Sequence, residues 1–495
     1  MKKHEMRTLI VIVSFVLVVV AMLSWFDKPT PSTDLEDDFS NLTWTMAFEE
    51  LHQTLSTEYA FTDWKSINWD KLHQKYLAEI EKAQLNQDFD AYYLSLRAYL
   101  NEIPDGHVRM NNLKEIDDQY IGGGFGLALA KINDGNIIVT WVDESSQAWG
   151  FGIRPGDVLL SWNGQPINEA IENVSTLFGG TSATTENLEI KKAAYLVRAP
   201  VGTKIQLSYK TPDSSLTESV SLVADDDNGL SLSKNYPDSV VSNKLRDMFV
   251  GVDNPDPIPD AMVESKMLDD RISYLKILGE LDADLQETGN LQSTLELVRN
   301  AIETAHQNNA QGLIVDLRNN IGGLDQMTAD ILGCFYQQKT FFEYQNLYNP
   351  DTKSFELQSM DDGSQALIIE PSGPYFNEPI IVLINPKCVS SGEGLAMGLQ
   401  NLPNAETLGF YGTNGSFGLA GSEAKMPGGL TVHWPSGQSL NENKTIQLDS
   451  QNGIGGVSPD IRLPMTAQNA IRIANGEDVE LAEAIKALHN KLNNQ

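Results

Sequence analysis

The runs LIVDLRNNIGG at 313–323 and IIVLINPKCVSSGEGLAMGL at 380–399 decide the reading of this chain. In each, β-branched and apolar residues stop abruptly at small polar ones. That is the pattern of a strand buried on both faces whose carboxyl end opens onto a loop. Ser390 stands at the second opening, ahead of the small and apolar stretch Gly394 to Leu399, which suits a helix packed closely on a sheet. A serine between strand and helix is exposed, and neighbouring backbone N–H groups point at whatever it attacks. The same letters also fit a capping box, in which Ser390 caps the helix and Glu393 reaches back to it. Gly322 and Gly323 follow the first strand, where a backbone without Cβ can turn tightly and offer an N–H to an oxyanion, or form a plain turn.

These two segments resemble the tail-specific, or C-terminal processing, serine proteases and their relatives around the tricorn protease core. The resemblance covers most of the chain and rests on Asp316-Leu317-Arg318-Asn319-Asn320-Ile321-Gly322-Gly323, Ser390 and Glu393. It implies an α/β core of the ClpP/crotonase-like type, with Ser390 as nucleophile. The oxyanion hole would then come from the N–H of Ser391 with one from Gly322 or Gly323. Ser391, adjacent to Ser390, is the other candidate nucleophile. Processing proteases deprotonate the serine with a lysine in a downstream Gly-Lys-Gly turn; the matching position here is Gly415, within GTNGSFG at 412–418, so the Ser–Lys dyad is absent. Tricorn-like relatives use a histidine from the amino-terminal region, and Asp105-Gly106-His107-Val108-Arg109 resembles that motif.

Of the seven histidines, His4 precedes an apolar run, and His52, His73, His306 and His489 lie in amphipathic helical stretches and read as surface residues. His433 falls in the strand-like Leu430 to Pro435 and reads as structural; His107, which as a lone loop histidine could simply be solvated, stands at the family's Asp-Gly-His position, and the resemblance implies that it is the base. A third residue would hold the imidazole in the correct tautomer. Relatives carry a Glu shortly before a Gly-Val-x-Pro-Asp motif; here Gly453-Ile454-Gly455 precedes Gly456-Val457-Ser458-Pro459-Asp460, and the nearest acid upstream is Asp449, with Glu442 farther back. Asp449 is the expected third member, with Glu442 or no acid at all as alternatives.

Between His107 and Ser390 a second module resembles a PDZ domain: GGGFGLAL at 122–129 followed by GIRPGDVLLSWNG at 152–164, with GTKIQLSY at 202–209 as a closing strand. The resemblance implies that N–H groups around Gly124, Phe125 and Gly126 cradle a peptide carboxylate and that the strand from Leu127 pairs with the peptide. A phosphate loop would need a Lys-Ser/Thr pair after the glycines, and none follows.

A formal net charge of −32 argues against nucleic acid, whose phosphates demand a basic surface. No Cys/His cluster or His-Glu-x-x-His sequence implies a metal, and no cofactor is expected. The amino terminus carries Lys2, Lys3 and Arg7 ahead of an apolar run from Leu9 to Phe26, with Asp27 beyond. This reads as a single membrane anchor with the body extracytoplasmic, a cleaved signal peptide being the other reading. Cys334 and Cys388 could pair in an oxidising compartment or stay as buried thiols.

Length favours about three domains. Residues 1–27 read as cytoplasmic tail and anchor, and 28–112 as tether and a helical domain with apolar residues at helical spacing (Phe48, Leu51, Leu55; Tyr92, Leu96, Leu100). Residues 113–225 are the PDZ-like domain, 226–465 the α/β serine protease core opening with an acidic extended connector or lid, and 466–495 a C-terminal helical segment on the outside. The expected function is a membrane-anchored extracytoplasmic serine endopeptidase with Ser390 as nucleophile, whose PDZ-like domain recognises peptide or protein carboxyl termini. A hydrophobic-ligand or peptide-binding protein without proteolysis is the alternative.

Overall fold

The computed structural model describes residues 35–212, 214–237, 240–249, 256–360, 363–419 and 421–493. The expected anchor and the first half of the expected tether, up to residue 34, lie outside them; its second half is not a free tether, because Leu35–Asp38 forms a strand. Among the described residues no helix is long and apolar enough to cross a membrane.

A six-stranded sheet forms the centre, in the order Val263–Met267, Ile272–Ile277, Gly312–Asp316, Ile380–Leu383, Ala405–Gly409, Ile461–Arg462. Every pairing is parallel except the first. The continuous apolar runs in the sequence follow from burial on both faces. Leu313, Val315, Ile380 and Val382 face a core built with the helices Thr294–Gln307, Asp325–Leu332 and Ser391–Gln400. Ile314, Ile381 and Leu383 face the other way, onto Ala484 and Leu488 of the helix Val479–Asn493. That helix packs on the sheet from outside and closes this face, with Val479, Glu480, Ala484 and Leu488 buried and the rest of its residues intermediate or exposed.

The helices Trp44–Glu58, Trp69–Asn86 and Phe89–Asn101 start where the side chains of Thr43, Asn68 and Asp88 accept backbone N–H groups. Their apolar faces close a core that also holds Ala424, Met426, Leu430, Val432 and Trp434 from a hairpin far along the chain. This hairpin pairs with Leu35–Asp38 on one side and Arg109–Met110 on the other, placing Arg109 opposite His433. The loop bearing His107 is thus tied by strand pairing to the part of the chain that follows Ser390.

Residues 123–226 fold around an antiparallel sheet in the order Glu218–Val223, Lys204–Lys210, Val158–Trp162, Ile137–Val142, Leu127–Lys131, with the helices Ile167–Glu172 and Thr185–Leu196 packed on it. Gly123–Gly124 pairs with both Arg198–Ala199 and Asp225–Asp226, joining the two ends of this unit. The stretch from 226 to 271 is not simply extended: it contains the helix Val240–Phe249 and the edge strand Val263–Met267. Leu245 of that helix is buried against Met262 and Leu278, so a short amphipathic turn among aspartates and prolines was hidden from periodicity alone. Cys334 and Cys388 are free, buried thiols.

Candidate active site

Ser390 follows the turn after Ile380–Leu383 and precedes the helix Ser391–Gln400, with φ 58° and ψ −135°. Such a conformation costs a side-chain-bearing residue about 1–3 kcal/mol and survives only where surroundings over-determine it. Here they do. The Ser390 N–H donates to the Ser416 carbonyl at 3.0 Å, and its own carbonyl accepts from Glu393 N–H at 2.8 Å. The capping box does not form, because the Ser390 side chain caps nothing. Glu393 turns the other way, accepting from Thr413 Oγ1 at 2.5 Å, Gly415 N–H at 2.7 Å and Ser416 N–H at 2.9 Å. Burial pushes its carboxyl up to about 7, against the pull of those three donors. Glu393 is the clamp on the 413–416 loop, and that loop in turn holds Ser390.

The three expected oxyanion donors separate. Gly322 N–H already donates to Asn320 Oδ1 at 2.8 Å, which removes it as a free donor. Gly322 instead gives room: it lies at φ 82°, and a Cβ there would stand 2.6 Å from Ser390 Cβ. Gly323 pairs in parallel register with Glu280, whose backbone takes the carbonyl of Gly322 and the N–H of Leu324. Gly323's own polar groups therefore face away from Glu280, and its carbonyl accepts the Ser391 hydroxyl at 3.0 Å. Neither Gly323 N–H nor Ser391 N–H donates to a described residue. The Ser391 hydroxyl also donates to Asp325 Oδ1 at 2.7 Å, so it is engaged, whereas Ser390's has no partner among the described residues. Burial pushes the Asp325 carboxyl up to about 6, with the nearby His107 pulling it down.

His107 is held by its own loop. Its backbone N–H donates to Asp105 Oδ1 at 2.9 Å, and Gly106 N–H donates to Ser416 Oγ at 2.8 Å. Thr181 Oγ1 closes the loop by donating to the carbonyls of Asp105 and Val108. Ser416 thus binds the Ser390 backbone through its carbonyl and the His107 loop through its hydroxyl. The carboxylate beside the imidazole is Asp105, with Oδ1 3.5 Å from His107 Nδ1. Asp449, the sequence choice for that role, is buried one ion further away: its Oδ1 lies 2.6 Å from Lys65 Nζ and its Oδ2 accepts Phe417 N–H at 2.9 Å. Glu442 is exposed. His433 sits in its strand 3.6 Å from Glu423, and burial holds its imidazole down at about 4. His52, expected on the surface, is half-buried among Phe48, Trp69, His73 and Tyr99.

The expected peptide cradle is only partly open. Gly124 has a strand on each side, and a Cβ on it would meet Asp227 Oδ2 at 2.4 Å, where Asp227 pairs with Arg198 at 2.6 Å. Phe125 is buried edge-on against Trp162, and Gly126, at φ 69°, accepts Asp143 N–H. A second carboxylate beside Gly124 would meet Asp227, so that part of the cradle is occupied by the protein's own ion pair. Leu127 begins the edge strand of its sheet, and a cavity lies between that strand and the helix Thr185–Leu196, lined by Leu129, Ile190, Ala193, Tyr411 and Met465.

Sequence reasoning missed Lys65, Asp105 as a side-chain partner, Ser416, Glu280 and Asn320. Asp105 carries a signal, an acid two residues before His107 in the Asp-Gly-His run; Lys65, between two helices, carries none. Asp316 and Arg318, in the run that suggested the site, make a buried ion pair at 2.6 Å that Arg318 extends to Asp478 at 2.6 Å, and so brace the fold.

A family model for peptidase family S41 matches residues 278–463, and one for the tricorn protease C1 domain matches residues 33–91. The nisin-resistance protein of Lactococcus lactis subsp. lactis is 28% identical over 211 residues, 40% of this chain and 62% of that protein. The carboxy-terminal processing protease CtpA of Bacillus subtilis (strain 168) is 22% identical over 294 residues, 59% of this chain and 47% of that protein. The chain thus spans between 47% and 62% of these two relatives' lengths. Mature CPAF complexed with lactacystin shares the fold, with a TM-score of 0.61 at 15% identity over 90% of this chain and 99% of that one.

Proposed function

The chain belongs to the C-terminal processing proteases, with its peptidase family S41 region at residues 278–463, and from that footing we propose that it is a serine endopeptidase. Ser390 is the nucleophile, His107 the general base, and Asp105 the carboxylate whose charge, 3.5 Å from His107 Nδ1, favours the imidazolium. Gly323 and Ser391 N–H form the oxyanion hole. One observation carries the reading: Ser390 is held at φ 58° with no capping bond, while the two N–H groups around it are unclaimed. A helix-capping serine has no use for that strain.

Ser390 Oγ attacks the scissile carbonyl carbon as His107 accepts the hydroxyl proton. The carbonyl electrons move onto oxygen, where Gly323 and Ser391 N–H receive the negative charge, each such donor being worth about 3 kcal/mol of barrier. The tetrahedral centre collapses, the C–N bond breaks, and the imidazolium passes its proton to the departing amine. Water then repeats the sequence on the ester and releases the acid.

Substrate selection belongs, in this reading, to the PDZ-like unit, whose edge strand from Leu127 would pair with the carboxyl end of a peptide or protein. The apolar run from Leu9 to Phe26 anchors the chain in a membrane, with the body extracytoplasmic.

The test is labelling of the full chain by a fluorophosphonate probe beside Ser390→Ala and His107→Ala. Modification at Ser390 that disappears in the first variant and slows about 100-fold or more in the second supports the assignment. No labelling of the parent, with unstructured peptide present, would leave the non-proteolytic binding protein as the better reading.

A further inference from the structure

The side chain of Lys65 is 1% exposed and lies between two carboxylates that are 0% exposed, 2.6 Å from Asp449 Oδ1 and 3.6 Å from Asp105 Oδ2. Its ammonium also donates to the Pro104 carbonyl at 2.8 Å and to Ser450 Oγ at 3.3 Å. Three segments remote in sequence, around 65, 105 and 449, therefore meet at one nitrogen. Burying three charges costs several kcal/mol per ion before their attraction repays it, and an apolar trio of similar volume is often no less stable. The arrangement is thus poorly explained by stability alone. What it adjoins is the base: the Asp105 carboxylate facing Lys65 and Tyr59 through Oδ2 presents Oδ1 to His107 Nδ1.

We infer that Lys65 and Asp449 are positioning residues whose charges fix how strongly Asp105 holds the His107 imidazolium. This rests on the reading of His107 as the base. With both acids ionised the trio carries one net negative charge. Lys65 draws Asp105 off the imidazole, and Asp449 absorbs part of that pull. Without Asp449 the ammonium would neutralise Asp105; without Lys65 both acids would bear on His107. Burial raises the Asp449 carboxyl to about 6, with Asp105 adding to the rise and Lys65 opposing it, so its charge is in place above that pH. Asp105 stays ionised far below, because Lys65 and His107 outweigh its burial. The other titratable groups in reach are Asp325 beside His107, Glu393 beside Asp449, and Tyr59, which donates to Asp105. All three are unchanged in the variants below.

The pH dependence of fluorophosphonate labelling at Ser390 reads this out in the full chain, in parent, Lys65→Met, Asp449→Asn and the double variant. The acid limb should move by roughly one pH unit upward in Lys65→Met and downward in Asp449→Asn. It should return to the parent position in the double variant, which restores the net charge. A purely structural trio would lower stability and rate without moving the limb in opposite directions. Limbs that stay in place, or shift the same way in both single variants, overturn the inference. Should Lys65→Met fail to fold, Asp449→Asn and the charge-balanced double variant still differ in outcome, a downward shift in the first and none in the second. Titration of the His107 resonance by NMR, assigned through His107→Ala, gives the same reading without labelling. An unreactive parent would therefore count against the protease alone, and an unmoved His107 titration against the trio alone.

Discussion

Gly322 packs so tightly on Ser390 that a methyl group at Gly322 would stand 2.6 Å from Ser390 Cβ, 3.2 Å from its Oγ and 2.9 Å from the Val389 carbonyl. Both partners occupy left-handed backbone, at φ 82° and φ 58°, so neither can turn aside without unravelling its loop. Gly322→Ala should cost about 2–4 kcal/mol, from the disfavoured φ and the overlap together. Because relief can come only by moving Ser390 or the Gly323 N–H, Ser390 labelling should fall about 100-fold or more even in the folded variant. Urea melts with labelling rates check both; a variant that loses stability but labels normally would separate Gly322 from the site.

Strain at Ser390 has a thermodynamic signature independent of chemistry. Glycine adopts φ near 58° freely, whereas alanine keeps the Cβ penalty of serine. Ser390→Gly should therefore be more stable than Ser390→Ala by about 1 kcal/mol, and neither should label. Equal melting temperatures would remove the argument that the turn is held under strain for function.

Ser416 is fully buried and binds both halves of the site, Ser390 N–H through its carbonyl and Gly106 N–H through its hydroxyl. Ser416→Ala keeps the first bond and strands the buried-side N–H of Gly106, at a cost of about 1–3 kcal/mol. Labelling should slow about 10-fold through a misplaced His107. If so, adding Ser416→Ala to His107→Ala should slow it no further, and the double-mutant cycle measures that coupling. Additive losses would show that Ser416 acts on Ser390 instead.

How far the sequence carried the reading depends on the kind of signal. Leu313 to Leu317 and Ile380 to Leu383 announced themselves because strands buried on both faces must be apolar throughout, and the small residues after them marked the open end. Ser390 and His107 stood out by residue type at a motif. The partners of His107 did not, because they are set by three loops meeting in space: spacing could point to Asp449 as a late acid, but not to Lys65 standing between it and Asp105. The fate of Gly322 N–H was equally hidden, since Asn320, two residues earlier in the same quoted run, takes it through a side chain whose direction no pattern reports. The hairpin 422–434, contributing to the core of the N-terminal helices, joins elements more than three hundred residues apart, and local periodicity carries no such information.

Glu280 supports the 320–323 loop from below, its Oε1 accepting Asn320 Nδ2 at 2.7 Å while Asn320 Oδ1 takes Gly322 N–H at 2.8 Å. It is 0% exposed, its Oε2 has no hydrogen-bond partner among the described residues, and burial pushes its carboxyl up to about 8 from an ordinary 4.5. The folded chain thus holds the Glu280 proton more tightly than the unfolded chain does. A stabilising contribution follows that is full below about pH 4.5 and is lost as the pH rises through about 8. Glu280→Gln keeps an acceptor for Asn320 and cannot ionise. Its stability relative to the parent should therefore improve with pH, from near parity at pH 4.5 to a gain of about 2–4 kcal/mol by pH 8. Urea melts of both proteins at the two pH values measure the difference, and a gap that does not widen would mean that Glu280 is already ionised in the fold.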